Sequence, residues 1–123
     1  MLIDSNILIY SAKREYPELR NFLNENVYSV SVVTQIEVLG YHLLTENERK
    51  YLEEFFDAAS VLKISDTVVA QAVHLRQQRR MSLGDAVVAG TALAYELELV
   101  TRNIQDFSWI QGLSLLNPFE TSS

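Results

Sequence analysis

Met1-Leu2-Ile3-Asp4-Ser5-Asn6-Ile7-Leu8-Ile9 opens the chain: three apolar residues, an acid, a polar pair, then a second apolar run. Leu2 to Asp4 is too short for anything but a buried strand, and Asn6 to Lys13, carrying Ile7, Leu8 and Tyr10, reads as a helix. The same alternation continues outward. Pro17 suits the first turn of a helix to about Asn24, because its missing N–H would be unpaired there anyway. Tyr28 to Val32 reads as the second strand, Thr34 starts a helix through about Leu44, and Glu46 to Ala59 forms another. Val61 to Ile64 supplies a third strand. Asp66 is expected to cap a helix to Arg80, with Arg76, Arg79 and Arg80 complementing its negative end. Asp85 to Leu97 is apolar nearly all round, which predicts a buried helix, and Gly90 would let it lie close to its neighbour. Leu99 to Thr101 and Leu113 to Leu116 complete the strands. Strands separated by helices predict an α/β fold, a three-layer α/β/α sandwich around a central, mostly parallel sheet.

The 123 residues, 48% of them apolar, suit one domain over 1–123 with a substantial core. No apolar run approaches the ~20 residues that span a bilayer, and no basic-then-apolar leader precedes Asp4, so the expectation is a cytoplasmic protein without membrane contact. With no cysteine, disulfides, thiolate metal sites and thiol nucleophiles are all excluded. A net charge of −6 disfavours broad, salt-driven binding of nucleic acid but permits a metal-centred site where phosphate meets a cation.

Four carboxylates stand at element ends: Asp4 after the first strand, Glu37 early in a helix, Asp85 opening another, and Asp106 in a late loop. Ligands of open α/β sheets bind beyond the carboxyl ends of the strands, and all four acids can reach that edge. Each also has a plainer structural explanation. Thr34-Gln35-Ile36-Glu37 matches a capping box, Asp85 suits the positive end of a helix, and Asp106 suits a turn. Asp4, next to a buried strand, is hardest to explain without a cation. The remaining acids belong to solvated helix faces. His42 and His74 are placed mid-helix as ordinary packed or solvent-facing imidazoles.

These residues carry a resemblance to the PIN-domain ribonucleases found as VapC toxins of toxin–antitoxin pairs. The opening stretch resembles the family's first acidic motif, and Val33-Thr34-Gln35-Ile36-Glu37-Val38-Leu39-Gly40 resembles its second. Leu83-Gly84-Asp85-Ala86-Val87-Val88-Ala89-Gly90-Thr91-Ala92-Leu93 resembles the third, although Gly90 stands where relatives usually carry Ala and the common Pro before the acid is missing. Leu99-Val100-Thr101-Arg102-Asn103-Ile104-Gln105-Asp106-Phe107 resembles the last. The resemblance implies Mg²⁺- or Mn²⁺-dependent endoribonuclease activity without an organic cofactor, an RNA substrate, a cognate antitoxin and a homodimer. Asp4 and Asp85 would be direct metal ligands. Asp106 would complete a second ion's shell, and Glu37 would bind metal or orient its water. Two such ions about 3.5–4 Å apart could serve the attacking water and the leaving oxygen. Ser5, Asn6, Thr101 and Asn103 match polar motif positions that align waters or phosphate oxygens, and Arg102 could face the RNA backbone.

Three alternatives stay open at this level: a PIN-domain RNA-processing nuclease that is no toxin, a non-enzymatic Mg²⁺-binding α/β signalling module, and metal-free cleavage by His42 and His74 as general base and acid.

Overall fold

The computed structural model describes residues 1–120, so the last three residues of the domain expected over 1–123 lie outside the described residues. Five short strands, β1 (Leu2–Ile3), β2 (Ser29–Ser31), β3 (Ser60–Leu62), β4 (Leu99–Val100) and β5 (Leu115–Leu116), form one sheet. Between them run α1 (Ser5–Ser11), α2 (Pro17–Asn24), α3 (Val32–Leu39), α4 (Glu46–Ala58), α5 (Asp66–Gln78), α6 (Leu83–Ala94) and α7 (Ile104–Phe107). Every strand pairing is parallel, in the order β3-β2-β1-β4-β5, with Leu2 paired to Ser29 on one side and Leu99 on the other.

The strands sort the core by their two-residue period. Ile3, Val30 and Val100 pack on one face against Ile7, Leu8, Leu19, Leu23, Val38, Leu52 and Phe56 of α1 to α4. Leu2 and Leu99, one residue earlier, pack on the opposite face against Leu75, Val88, Ala89, Ala92 and Phe107 of α5 to α7. Both faces are thus covered, which explains why such brief strands are apolar throughout.

Several element ends differ from expectation for identifiable reasons. Helix α3 starts at Val32 and not Thr34, because Ser31 caps it by accepting from Val33 N at 3.2 Å; it ends before Gly40, so His42 lies in a turn and not mid-helix. Ser65, and not Asp66, caps α5. Helix α6 starts at Leu83 and stops at Ala94, short of Leu97. There Glu96 turns left-handed (φ 54°), while Leu97 N donates to Ala92 O and Glu96 N to Leu93 O, the closure of a Schellman motif. Gly90 does bring helices together: a Cβ there would lie 3.1 Å from the backbone of both Val68 and Ala72 in α5. Among the described residues no helix is long and apolar enough to cross a membrane.

From β1 the chain builds the sheet outward through β2 and β3, then crosses back to place β4 on the other flank of β1. The crevice between the carboxyl ends of β1 and β4 is the topological switch point, where open α/β sheets accept ligands.

Candidate active site

Asp4 and Thr101 are the residues that follow β1 and β4, and they meet at this crevice: Thr101 Oγ1 donates to Asp4 Oδ2 at 2.9 Å. Asp4 Oδ1 accepts from the N–H of Ser5 at 2.8 Å, so the same carboxylate caps α1. Asp4 is only 6% exposed. Burial pushes its pKa up to about 6, against the two hydrogen bonds that favour the ionised form, and the charges of Asp85 and Glu37 push the same way as burial.

Glu37 faces the crevice from the second turn of α3. Ser5 Oγ donates to its Oε1 at 2.8 Å, which links α1 to α3 and brings Glu37 beside Asp4. The capping box read from the sequence is therefore not formed. Ser31 has taken the cap three residues earlier, and the Thr34 hydroxyl is buried without a hydrogen-bond partner. Gly84 of α6 lies against the Glu37 carboxylate, where an added Cβ would stand 3.0 Å from Oε2.

Asp85 sits in the first turn of α6, its N–H donating to the Ser82 hydroxyl at 3.1 Å. Burial raises its pKa first, opposed by the Ser82 hydrogen bond, with the charges of Asp106 and Glu37 adding to the rise. Asp106 lies in α7, a short helix where a loop was expected, and is exposed. The fold thus brings all four acids near enough for Asp85 to feel Asp4, Glu37 and Asp106. Of the polar motif residues, Ser5 and Thr101 are buried and bonded to the acids. Asn6 and Asn103 are exposed. Arg102 is exposed too, its guanidinium 4.4 Å from the Phe119 ring centroid and 5.2 Å from that of Tyr10.

Among the described residues no three acidic or imidazole side chains stand ready-made around one point as an ion cage. Magnesium does not require one, since it keeps several waters and is commonly held by one or two carboxylates. The donor set fits such an ion: hard oxygens only, one carboxylate nearly buried, and two carboxyls whose protonation is favoured by neighbouring negative charge that a cation would cancel. The histidines form no comparable pair, His42 being exposed in the turn after α3 and His74 exposed in α5.

Three residues at the site's margin escaped the sequence reading. Arg79 and Arg80 were expected to close a helix end, and Trp109 was not singled out, yet all three line a cleft with Asp85 and Asp106. The signal available was spacing: the arginine pair stands just ahead of the Ser82 cap, and Trp109 lies three residues after Asp106. Gly84 also went unnoticed, because its neighbour Glu37 is remote in sequence.

The family described as PIN domain matches residues 1–111. No curated protein sequence matches the chain. Among solved structures, the chain is similar to one described as a toxin–antitoxin complex from Klebsiella pneumoniae, at 30% identity and TM-score 0.75, with 98% of each chain covered. It shares its fold with VapBC2 from Rickettsia felis bound to a promoter DNA fragment, at 22% identity and TM-score 0.82, covering 94% of this chain and 96% of that one. DNA-bound VapBC from Salmonella typhimurium is alike to the same degree, at 22% identity and TM-score 0.82, covering 95% and 96%.

Proposed function

The chain belongs to the PIN domain family, and from that premise we propose that it is a Mg²⁺- or Mn²⁺-dependent endoribonuclease, the toxin of a toxin–antitoxin pair. The observation that carries the reading is Asp4: a nearly buried carboxylate at the switch point of the sheet, hydrogen-bonded to Thr101 and charge-coupled to Asp85 and Glu37. Four acids from distant parts of the chain converging on one crevice oppose each other electrostatically unless a cation joins them.

In this reading Asp4 and Asp85 hold the ion, and Asp106 and Glu37 complete its surroundings. When bound, Mg²⁺ or Mn²⁺ would polarise the phosphate and make an attacking water available at neutral pH. Thr101 and the Ser5 N–H fix the Asp4 carboxylate so that its remaining lone pairs face the crevice. The Ser5 hydroxyl does the same for Glu37. Arg102, steadied over Phe119 and Tyr10 beside Thr101, carries a positive charge to the rim where an RNA phosphate would pass. Asn6 and Asn103 supply exposed amides at the same edge for phosphate oxygens or water.

A cognate antitoxin belongs to the proposal because the 30% identical relative is itself a toxin–antitoxin complex. A cytoplasmic homodimer does too. Ile36, Val69, Val73 and Leu83 expose apolar side chains on α3, α5 and α6, which a second copy would cover.

Incubating the purified protein with a mixed RNA pool, with and without Mg²⁺, and sequencing the fragment ends tests the central reading. Cleavage is expected with Mg²⁺ or Mn²⁺, none in EDTA, and none from Asp4→Asn. Cleavage that persists in chelator and in Asp4→Asn overturns it. Growth arrest on expression, relieved by the product of an adjacent reading frame, separates a toxin from a processing nuclease.

A further inference from the structure

Arg79 and Arg80 share one cleft with Asp85, Gln105, Asp106 and Trp109, between the α5–α6 turn and α7. The site's own acids form part of its lining, while two guanidinium groups and an indole form another. Helix α5 ends at Gln78, and Arg79 is already extended (φ −160°, ψ 150°), so the pair has left the helix and does not cap it. Arg76 alone stays in the last turn, donating to Met81 O at 3.4 Å. Both arginines are exposed and Trp109 is half-buried. The indole is fastened in place, its Nε1–H donating to Asp106 O at 2.9 Å, and the Arg79 guanidinium lies 5.4 Å from its ring centroid.

A chain with a net charge of −6 must attract a polyanion locally if at all, and this cleft puts cations and an aromatic ring directly beside the acids. Guanidinium groups suit a phosphate, and an accessible ring suits an unpaired base, which a duplex keeps stacked within itself. We infer that the cleft is a subsite for single-stranded RNA, in which Arg79 and Arg80 take the phosphate next to the scissile one and Trp109 stacks the adjoining base. The base takes the indole surface that Arg79 now covers, and the released guanidinium joins Arg80 on the phosphate. This rests on the ribonuclease reading above and adds to it where on the protein the strand lies and why the strand is unpaired.

Trp109 is the chain's single tryptophan, so its emission reports on the subsite directly. The full chain carrying Asp4→Asn, in Mg²⁺, is titrated with a random-sequence single-stranded RNA oligonucleotide while indole emission is followed, and with a fluorescein-labelled copy while anisotropy is followed. Saturable quenching is expected. The double substitution Arg79→Gln, Arg80→Gln should weaken binding about tenfold and flatten the slope of log affinity against log salt by about 1.4. Trp109→Ala should also weaken it about tenfold, whereas Trp109→Phe, which keeps a ring but loses the hydrogen bond to Asp106, should retain most of the affinity. A charge-matched control on α4, Arg49→Gln with Lys50→Gln, should bind as the parent does. Should the double arginine variant lose its thermal transition, Arg80→Gln alone and Trp109→Phe carry the comparison. RNA bound with unchanged indole emission, and equally by the arginine variant and the α4 control, overturns the subsite while leaving the nuclease reading intact. A wild-type protein that neither binds nor cuts RNA removes both.

Discussion

Asp4 carries opposed demands. Its carboxylate caps α1 and ties β1 to β4 through Thr101, yet its burial makes the charged form costly in the metal-free protein. The folded pKa of about 6 lies above the ordinary 3.8, so between these values the folded state binds more protons than the unfolded one. Stability of the metal-free protein should therefore fall as pH rises from about 4 to about 6, by roughly 2–3 kcal/mol in total, and stay at the lower value above that. Urea unfolding in EDTA at a series of pH values measures this, and a flat profile would contradict it. Asp4→Asn keeps the size and an acceptor but removes the charge, so at pH 7 it should be more stable than the parent in EDTA and inactive in Mg²⁺, a trade of stability for function. Gly84 provides the second test at this scale. A methyl at Gly84 would press on Glu37 Oε2, the mobile end of a side chain. Gly84→Ala should leave the melting temperature nearly unchanged while lowering RNA cleavage by about tenfold or more; unaltered turnover would remove Glu37 from the chemistry.

Two elements owe their form to single residues that local preference would not select. Glu96 holds a left-handed turn at the end of α6, where glycine is the usual occupant. Glu96→Gly should raise unfolding free energy by about 0.5–1 kcal/mol, since the side-chain strain relieved exceeds the added backbone entropy. Gly90 behaves oppositely. Ala would improve helix propensity by about 1 kcal/mol, but its Cβ meets backbone of α5 at 3.1 Å on two sides, and backbone does not yield as a side-chain tip does. Gly90→Ala should therefore destabilise by about 1–2 kcal/mol net, read as a lower urea midpoint at constant slope. A gain in stability would mean that α5 and α6 can separate freely. The strands illustrate a different economy: two residues of β1, Leu2 and Ile3, serve opposite cores because a parallel sheet covered on both faces uses every side chain.

At the scale of the whole molecule, the proposed ion couples the acids to folding. Mg²⁺ at a hundredfold excess over its dissociation constant should stabilise the native state by about 2.7 kcal/mol, raising Tm by roughly 10 °C. The gain should shrink at pH 5, where Asp4 is largely protonated, and disappear in Asp4→Asn. Calorimetry with and without Mg²⁺ checks this, and an equal shift in Asp4→Asn would place the ion elsewhere. Much of the architecture was legible in the order of residues: the α/β alternation, the parallel sheet, the buried α6 and the four acids all follow from apolar spacing and from the positions of charges at element ends. Element boundaries were less so, because Ser31 and Ser65 could cap as readily as Thr34 and Asp66, and only the entry angle of the chain from β2 and β3 decides which hydroxyl meets the free N–H groups. Side-chain partnerships across the fold were not legible at all. Nothing near Glu37 in the chain announces Ser5 or Gly84, and nothing near Asp106 announces Arg79 and Arg80. Hydrophobic period and local hydrogen-bonding preference act within a few residues, so a one-dimensional pattern can carry them. The crevice instead arises where β4 returns beside β1, and contacts between residues up to 97 positions apart, such as Thr101 with Asp4, exist only once that crossing has been made.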